Sequence, residues 1–402
     1  MRARTFNFRA YRYRFPERKK RYLVILLDLA VRLILLPGCW LPVFRKREID
    51  RAGIKKILVV RNDGIGDFIL SLPALQALRQ SFNSCWITIL LPAWQEELAL
   101  ASGIFDEVIT FDDRRTRYLF SPARFKRLFW KMLSKVPSLR SKRFDLAIDM
   151  RGDMRNRAVI FLSGIPRRLG FDIGGMEYLL TRQVNYREKT HEVEHFLDLV
   201  RACTGTIREN NFPLNLVSTP EDQKIVAGFL ENNAIRLRQD FLIIVHPVSR
   251  WPAKEWPKEK FSALCDQLAG RHKAKIVFIG AAQDILPVQG IISLMREKAV
   301  FFNATLVQLS VLLGKADLFI GNDAAPMHLA ALLKIPVIAL FGPTDPEIFG
   351  PYGQGHTVVK SDIVCSSCSK QACSRPQRFC MDRISVDQVL AMADQYILPN
   401  RL

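Results

Sequence analysis

The chain has 402 residues, of which 49% are apolar and 24% charged, and its formal net charge is +20. The length predicts two domains, and the apolar content is that of a globular protein, which excludes a dependence on disulfides or metal for folding. The charge attracts polyanions without choosing between nucleic acid, anionic membrane and phosphorylated substrate. Much of it lies before residue 50, in Arg9 to Arg21 and in Arg45 to Arg47, where a membrane or substrate-approach surface is favoured over an active site.

Residues 22–44 form the most apolar stretch, within a basic N-terminal extension that covers residues 1–53. Asp28 interrupts the stretch and Pro37 ends its helical part, which is shorter than the ~20 residues that a spanning helix needs. The basic flanks favour a helix that lies in the surface of an anionic membrane. The stretch could also be a transmembrane anchor or uncleaved signal, or an amphipathic helix packed on the protein itself.

The first predicted domain covers residues 54–215. Short apolar runs predict buried strands, and helical patterns separate them, with a strongly basic one over residues 114–143. Strands that alternate with helices indicate a parallel, doubly wound sheet. The predicted strands of this domain are 57–60, 86–91, 107–111 and 145–149.

The pattern restarts after a polar linker region at residues 216–240, and the second predicted domain covers residues 241–402. Its predicted strands are 241–245, 275–280, 317–321 and 336–341. The fold class is therefore α/β, with two similar halves. In open α/β sheets ligands bind beyond the carboxyl ends of the strands, so the loops at those ends are the candidate sites.

The loop from Asp63 to Asp67 follows the first strand and contains Gly64 and Gly66, which allow a tight turn. A dinucleotide site would need a third glycine at position 69, which is Ile, and no Lys-Ser/Thr pair follows as in a phosphate-binding P-loop. The remaining feature is the carboxylate of Asp67, which could accept a proton from an acceptor hydroxyl. The spacing alone favours the other interpretation, in which Asp67 only caps the start of the helix and interacts with its dipole.

The loop from His246 to Pro257 follows the first strand of the second half and contains three prolines. It carries a hydroxyl at Ser249 and a cation at Lys254, which are suitable partners for a diphosphate leaving group. Lys254 could instead be an ordinary surface lysine, and the tryptophans of the loop could serve only to pack it.

The loop that begins at Gly321 leads into an apolar helix in the second half. Asn322 or Asp323 could cap this helix, which would leave free N–H groups at an anion-binding helix end. The small residues Ala324 and Ala325 leave room for a phosphate or sugar, and His328 lies one turn further on. The same residues would also suit a plain cap with a packed histidine.

The loop at residues 341–346 ends the next strand. Its Thr344 hydroxyl could line a sugar pocket, or the segment could be an ordinary turn.

Four cysteines lie close together near the C-terminus: Cys365, Cys368, Cys373 and Cys380. Such a set can hold a structural metal or an iron–sulfur cluster, although the spacing is not that of a standard zinc ribbon or ferredoxin. The same four residues could also be free thiols or form disulfides.

Taken in order, these loops resemble the glycosyltransferase family that includes the ADP-heptose:lipopolysaccharide heptosyltransferases. The resemblance extends from about Ile57 to about Val389. Its segments are 57–67, 72–75, 168–171, 246–257, 323–330, 341–346 and the cysteine segment through Met381.

The resemblance implies a GT-B fold, with two Rossmann-like domains facing a cleft, and inversion at the anomeric carbon without a metal. By position, Asp67 is similar to the catalytic base, while Ser249 and Lys254 resemble the diphosphate contacts. Further donor positions implied in this way are Asp323, Ala324, Ala325, His328, Thr344 and, at the ribose, Asp284. The acceptor-side loop would contain Arg61, Gly64 and Gly66. No D-x-D motif occurs in the chain, as expected if no divalent metal holds the diphosphate.

The sequence therefore predicts an inverting glycosyltransferase without a required cofactor, whose donor is a nucleotide sugar, by resemblance ADP-heptose. The acceptor would be a lipopolysaccharide-core or similar lipid-linked glycan, and the enzyme would be cytoplasmic, on the cytoplasmic face of the inner membrane. The N-terminal extension and the charged segment 149–153 depart from the family pattern, which leaves acceptor and donor sugar open. Rival interpretations are a non-catalytic membrane-surface protein that binds nucleotide or glycolipid, and a metal-cluster protein. A nucleic-acid partner is not expected, because no known binding module is present.

Overall fold

The computed structural model describes residues 25–26, 28–30, 32–33, 46–111, 122–207, 214–363, 365, 367–370, 372–373 and 379–398. They form two compact units, each containing one six-stranded sheet. The described residues of the first unit fall within Met1–Gly64, Ser71–Glu188 and Glu194–Phe212. Those of the second unit fall within Ile65–Leu70, Lys189–Val193 and Pro213–Leu402.

The first sheet has the strand order β3-β2-β1-β4-β5-β6, and every neighbouring pair is parallel. This is the order of a doubly wound Rossmann-like sheet. Its strands are β1 Lys56–Val60, β2 Trp86–Pro92, β3 Glu107–Phe111, β4 Leu146–Asp149, β5 Arg167–Phe171 and β6 Arg182–Val184. The last two were not predicted, because β5 opens with two arginines and β6 is three residues long and largely exposed.

The second sheet has the order β12-β11-β10-β7-β8-β9, again parallel throughout and with the same connectivity as the first. Its strands are β7 Leu242–His246, β8 Lys275–Gly280, β9 Ala299–Asn303, β10 Leu318–Asn322, β11 Val337–Phe341 and β12 His356–Lys360. The edge strands β9 and β12 were not predicted, since both are only partly buried. The predicted α/β class with two doubly wound halves is confirmed.

Helices connect the strands. Those that begin before residue 205 are α1 Ile65–Ser81, α2 Glu96–Ala101, α3 Pro122–Leu133, α4 Val136–Ser141, α5 Met154–Leu162 and α6 Glu192–Thr204. The later ones are α7 Pro220–Asn232, α8 Lys258–His272, α9 Ile285–Ile292, α10 Leu306–Leu313, α11 Ala325–Leu332, α12 Pro346–Phe349, α13 Phe379–Arg383 and α14 Val386–Ile397. Helix α7 occupies most of the predicted linker region. It belongs to the second unit, where Phe229 packs against Phe302 with ring centroids 4.5 Å apart and ring planes inclined at 42°.

The central strands are buried along their whole apolar length, as expected where helices cover both faces of a parallel sheet. In the first unit, Leu58 and Val60 of β1 pack with Leu128 and Met132 of α3. In the second unit, Ile243 and Val245 of β7 lie in one cluster that extends to the C-terminal helix α14. The loops at the carboxyl ends of these rigid strands are thereby held in place.

Part of the apolar N-terminal stretch is helical and packs on the first unit. Asp28, which interrupts that stretch, is 4% exposed, and its Oδ1 accepts a hydrogen bond from the backbone N–H of Met176 at 2.6 Å. Leu26 and Leu33, in contrast, are 64% and 66% exposed. The remainder of residues 22–44 lies outside the described residues. No helix among the described residues has the length and apolar character needed to cross a bilayer.

Candidate active site

The carboxylate of Asp323 joins three separate loops of the second unit. It follows β10 and is 4% exposed. Lys254, from the loop after β7, places Nζ 2.6 Å from Oδ2, and Thr344, from the loop after β11, donates its hydroxyl to the same oxygen at 2.5 Å. Nε2 of His328, on α11, lies 3.7 Å from Oδ1. The structure therefore brings together four of the residues selected from the sequence.

The Lys254 side chain is placed so that its charge stays accessible. It is 15% exposed, and its Nζ lies 4.6 Å from the centroid of the Trp251 ring, a favourable cation–π distance. Trp256, by contrast, is 1% exposed and packs in the core of the second unit, so this tryptophan does serve to pack the loop. Lys254 is therefore a partly buried cation inside a built cluster and not an ordinary surface lysine.

Asn322, which from its sequence position could only be proposed as a helix cap, fixes both ends of the Lys254 loop. It is the last residue of β10 and is fully buried. Its Nδ2 donates to the carbonyl of Pro247 at 2.7 Å, and its Oδ1 accepts from the N–H of Trp256 at 3.1 Å. One amide side chain thus holds the loop at its start and at its end, with Lys254 between.

The predicted side-chain cap of α11 is wrong. Ala324 occupies the cap position and makes no side-chain hydrogen bond, because Asn322 and Asp323 are engaged as described above. The small side chains of Ala324 and Ala325 are half-buried. Pro326 has no N–H and the N–H of Met327 donates to the carbonyl of Ala324, so the N–H of Ala325 is the donor that the start of α11 can offer to an anion.

Asp67 belongs to the same unit as this cluster. It lies in the first turn of α1, half-buried. A Cβ atom at the preceding Gly66 would lie 3.4 Å from Cδ2 of His328, so the start of α1 passes directly beside the histidine ring. Burial lowers the pKa of His328 to about 4, although the charges of Asp323 and Asp67 act in the opposite direction. The ring is therefore neutral at pH 7, and its buried Nδ1 has no hydrogen-bond partner among the described residues.

Two further predicted donor residues lie at carboxyl ends but outside the Asp323 cluster. Ser249 is in the Lys254 loop, where its N–H donates to the Glu255 carboxylate at 3.1 Å and its Oγ accepts from the N–H of Trp251 at 3.4 Å. Asp284 follows β8, and its carboxylate accepts the N–H of Ala281 at 2.9 Å. Both side chains close their own loops and remain half-buried.

The predicted acceptor-side residues Arg61 and Gly64 belong to the first unit. Arg61 is 1% exposed, forms an ion pair with Asp63 at 2.9 Å and donates to the carbonyl of Met150 at 2.9 Å. The Gln95 amide, which no sequence pattern singled out, donates to the carbonyl of Asp63 at 2.8 Å and also to that of Gly64. Together these contacts fix the backbone of the loop that leads into α1.

The charged segment at residues 149–153 is organised around Asp149, at the end of β4. This carboxylate is fully buried and accepts the N–H groups of residues 151, 152 and 153 at 3.1–3.2 Å. It also accepts from Asn156 at 2.7 Å and forms an ion pair at 3.1 Å with Arg157, which is 0% exposed. No signal in the sequence singled out this pair.

None of the four C-terminal cysteines forms a disulfide, so that alternative is wrong. Burial raises the pKa of the Cys380 thiol. Ser367, within the same segment, donates its N–H to the carbonyl of Gly342 at 2.8 Å, so the segment packs on the loop that carries Thr344. In the part of the chain that the structure describes, no three histidine, cysteine or acidic side chains form a metal-ligand set.

Comparison with known proteins decides the family. The sequence model of glycosyltransferase family 9 (heptosyltransferase) matches residues 132–378, more than half of the chain. The protein belongs to glycosyltransferase family 9. It is similar to a putative glycosyltransferase of Haemophilus influenzae, with 25% identity over 86% of this chain and 97% of that protein. The predicted enzyme class, a heptosyltransferase-like glycosyltransferase, is confirmed.

Solved structures of this family share the fold. The family 9 glycosyltransferase of Veillonella parvula superposes with a TM-score of 0.76 at 23% identity, covering 88% of this chain and 100% of that one. The ADP-heptose lipopolysaccharide heptosyltransferase II of E. coli superposes with a TM-score of 0.68 at 21% identity, covering 86% and 100%. Both likenesses extend across the two Rossmann-like units.

Proposed function

We propose that this family 9 enzyme transfers a heptose from ADP-heptose to a hydroxyl of a lipopolysaccharide-core or similar lipid-linked glycan, with inversion and without a metal. The single observation that carries the proposal is the convergence of Lys254, Thr344 and His328 on Asp323 in the unit that also contains Asp67. The E. coli relative with the same fold is named for ADP-heptose and lipopolysaccharide, which supports this choice of donor and acceptor class.

In the proposed reaction the acceptor oxygen attacks the anomeric carbon of the sugar. Its proton passes to the carboxylate of Asp67 as the new C–O bond forms. The bond between the anomeric carbon and the diphosphate oxygen breaks at the same time, and ADP leaves with the electron pair. The developing negative charge is met by Lys254, by Ser249 and by the N–H groups of Ala324 and Ala325 at the start of α11. These groups stabilise the negative charge that a divalent cation stabilises in other glycosyltransferases. We therefore expect the transfer rate to be unchanged by EDTA.

The roles of the remaining residues follow from their positions. Asp323 orients Lys254, and Asp284 is proposed to contact the ribose beyond β8. The neutral His328 ring can donate or accept one hydrogen bond through its unpartnered Nδ1 without adding charge beside Asp67. The loop of Arg61, Gly64 and Gly66 would bind the acceptor.

We place the enzyme at the cytoplasmic face of the inner membrane, where the exposed Leu26 and Leu33 would lie at the lipid surface.

The test is the isosteric substitution Asp67→Asn, which removes the proton acceptor and keeps the shape. We expect transfer to fall by about 10³-fold, since positioned bases contribute 10²–10⁴-fold, while the Kd for ADP changes less than about threefold. Glu221→Gln is the matched control: it removes an exposed carboxylate from the first turn of α7 and with it the same helix-dipole interaction. If Asp67→Asn behaves like Glu221→Gln, Asp67 only stabilises its helix and the proposed base is wrong.

A further inference from the structure

The first sheet has a switch point like that of the second. In its order β3-β2-β1-β4-β5-β6 the direction of winding reverses between β1 and β4, which are paired in parallel with Val60 opposite Asp149. Ligands of open α/β sheets bind in the crevice beyond the strands at such a point. In the second sheet this point lies between β7 and β10, and the loops after these strands supply Lys254 and Asp323. We therefore expect a ligand-binding side chain at the same place in the first unit.

Arg151 lies at that place. It belongs to the loop after β4, and its Nη1 donates to Oδ1 of Asn62, in the loop after β1, at 2.9 Å and also to the carbonyl of Asn62. The guanidinium thus joins the two loops that flank the switch point. The side chain is 34% exposed, against 15% for Lys254 in the second unit. Arg151 therefore presents a positive charge to solvent at the carboxyl edge of the sheet.

The charges around this crevice do not cancel. Residues 61–64 and 149–157 contain four arginines and three aspartates. Each aspartate has an arginine close to it, in the pairs Arg61–Asp63 at 2.9 Å, Arg157–Asp149 at 3.1 Å and Arg155–Asp153 at 2.5 Å. The arginines of these three pairs are at most 5% exposed. The fourth is Arg151, whose Nε lies 3.7 Å from Asp153, a carboxylate that already binds Arg155 through both oxygens. These segments therefore carry one positive charge in excess, and the exposed guanidinium is that of Arg151.

The surrounding backbone fixes Arg151 before any ligand binds. The buried carboxylate of Asp149 accepts the N–H groups of Arg151 and of the two residues after it at 3.1–3.2 Å. Gly152 has a φ of +73°, and a Cβ atom there would lie 3.2 Å from the carbonyl oxygen of Ile173, so the turn requires a glycine. A cation that is held at both its backbone and its guanidinium loses little conformational freedom when it binds an anion.

A guanidinium at this place selects the chemistry of its ligand. Its parallel N–H donors match the paired oxygens of a carboxylate or of a phosphate ester, and both of these carry the charge that the crevice lacks. A sugar hydroxyl carries no charge and would leave the excess in place. Segment 149–153 is also one of the two places at which the sequence departs from the family pattern, so this cation is a feature of the present chain.

We propose that Arg151 binds an anionic group of the acceptor, a carboxylate or a phosphate ester, and thereby selects glycans that carry one. The proposal rests on the proposed function in one respect. The donor diphosphate has its own cation, Lys254, in the second unit, which leaves the switch point of the first unit to the other substrate.

The first test measures binding without transfer. The full chain, in excess ADP so that the cation of the second unit is occupied, is titrated with glucuronate, glucose 6-phosphate or glucose by ligand-observed NMR. The test variant is Arg151→Gln. Its matched control, Arg201→Gln, removes an arginine of nearly equal exposure, 33%, from the last turn of α6 in the same unit.

We expect the wild type and the control to bind one of the two anions at least about tenfold more tightly than glucose. Preference for glucuronate identifies a carboxylate as the ligand, and preference for glucose 6-phosphate identifies a phosphate ester. Arg151→Gln should bind all three sugars equally. The proposal is overturned if the wild type shows no preference or if Arg151→Gln keeps it.

The second test uses the transfer reaction with a water-soluble lipopolysaccharide-core oligosaccharide. The acceptor is supplied intact, after phosphatase treatment, or with its carboxylates reduced to alcohols. Loss of the group that Arg151 binds should raise the KM of the wild type for the acceptor at least about tenfold and leave the Kd for ADP unchanged. Arg151→Gln should have the raised KM already with the intact acceptor and should not respond to either treatment. Arg151→Lys keeps the charge without the planar fork, so its KM should lie between the two.

The kinetic pattern separates recognition of the anion from damage to the loop. If Arg151→Gln raises the KM by one factor and each treatment raises it further as in the wild type, Arg151 only supports the loop and the proposal is wrong. A wild type that does not respond to either treatment also contradicts it.

The two proposals can fail separately. The sugar titrations need no transfer, so a loss of anion preference in Arg151→Gln supports the anion site even if no acceptor is glycosylated, a result that would overturn only the proposed function. Conversely, if transfer occurs and Arg151→Gln matches the wild type in both tests, only the anion site is wrong.

Discussion

The two units carry a buried carboxylate at equivalent places, because β4 and β10 occupy the same position in sheets of the same order. Asp149 ends β4, and its five donors all come from the segment that follows it directly, residues 151–157. Asp323 follows β10, and its partners come from the loops after β7 and β11 and from α11. The first carboxylate organises one loop, whereas the second joins several.

The cation paired with each carboxylate also differs in its exposure to solvent. Arg157 is fully buried and also donates to the carbonyls of Phe171 and Ile173, so it has no capacity left for a ligand. Lys254 keeps 15% of its surface exposed and has Asp323 as its hydrogen-bond acceptor. The same pairing of a carboxylate and a cation is therefore fully buried in the first unit and leaves a partly exposed cation in the candidate site of the second.

The largest effect is expected from breaking the first pair. Arg157→Met keeps the volume but leaves Asp149 as a buried charge without its cation, which should cost about 3–5 kcal/mol of unfolding free energy. Denaturant titration followed by circular dichroism measures this loss. Arg187→Met is the control: it removes an exposed ion pair with Asp198, at 49% exposure, and should cost at most about 1 kcal/mol. Similar losses in both variants would mean that Asp149 does not depend on Arg157.

A smaller effect is expected from pH, through the buried histidines of the second unit. Burial lowers the pKa values of His328 and His246 to about 4 in the folded protein, against 6.5 when unfolded. As the pH falls below 6.5, the unfolded chain takes up protons that the folded protein does not, so the unfolding free energy decreases. Between about pH 7.5 and about pH 5.5 each histidine should account for about 1 kcal/mol of that loss.

His328→Gln and His246→Gln should each make the unfolding free energy less dependent on pH by that amount, in denaturant titrations at the two pH values. The double variant should show the sum, because separate sites usually contribute additively. An unchanged pH dependence in both single variants would show that these rings are not held neutral by burial.

The interior of each sheet could be predicted from the sequence, and its edges could not. The strands β1, β4, β7 and β10 are continuous apolar runs because helices cover both of their faces. β6 and β12 are partly exposed edge strands, and their residues alternate or are polar, so the pattern of burial that marks a strand is lost. The candidate loops could be located from the sequence because each of them follows one of the interior strands.

Within the candidate site, the sequence indicated residues whose side chains could contact a ligand, and it missed the role of a residue that holds others in place. Lys254 and Thr344 were chosen because a cation suits a diphosphate and a hydroxyl suits a sugar, and Asp323 was chosen as a possible helix cap and by its resemblance to a family position. Asn322 was considered only as a helix cap, since its true partners are 66 and 75 residues away along the chain. Such contacts depend on the crossover connections of the sheet and leave no local pattern.

The smallest effect expected is that of Asn322, and it tests whether the second carboxylate cluster works as a unit. Asn322→Ala removes both hydrogen bonds that hold the Lys254 loop but touches neither Lys254 nor Asp323. We expect the Kd for ADP to rise about fivefold, equivalent to about 1 kcal/mol, because the lysine loses its fixed position and not its charge. Lys254→Met, which removes the charge, should raise it by about 100-fold.

The double variant Asn322→Ala/Lys254→Met separates positioning from general damage. If Asn322 acts through the lysine, its effect on the Kd for ADP disappears once Lys254 is gone, and isothermal titration should show the double variant equal to Lys254→Met. If the two effects multiply instead, Asn322 supports the nucleotide pocket by another route. The Asp149 cluster offers the contrast: Arg157→Met should leave the Kd for ADP unchanged at temperatures where the variant remains folded, because that pair lies in the first unit's own loop and has no exposed cation to offer.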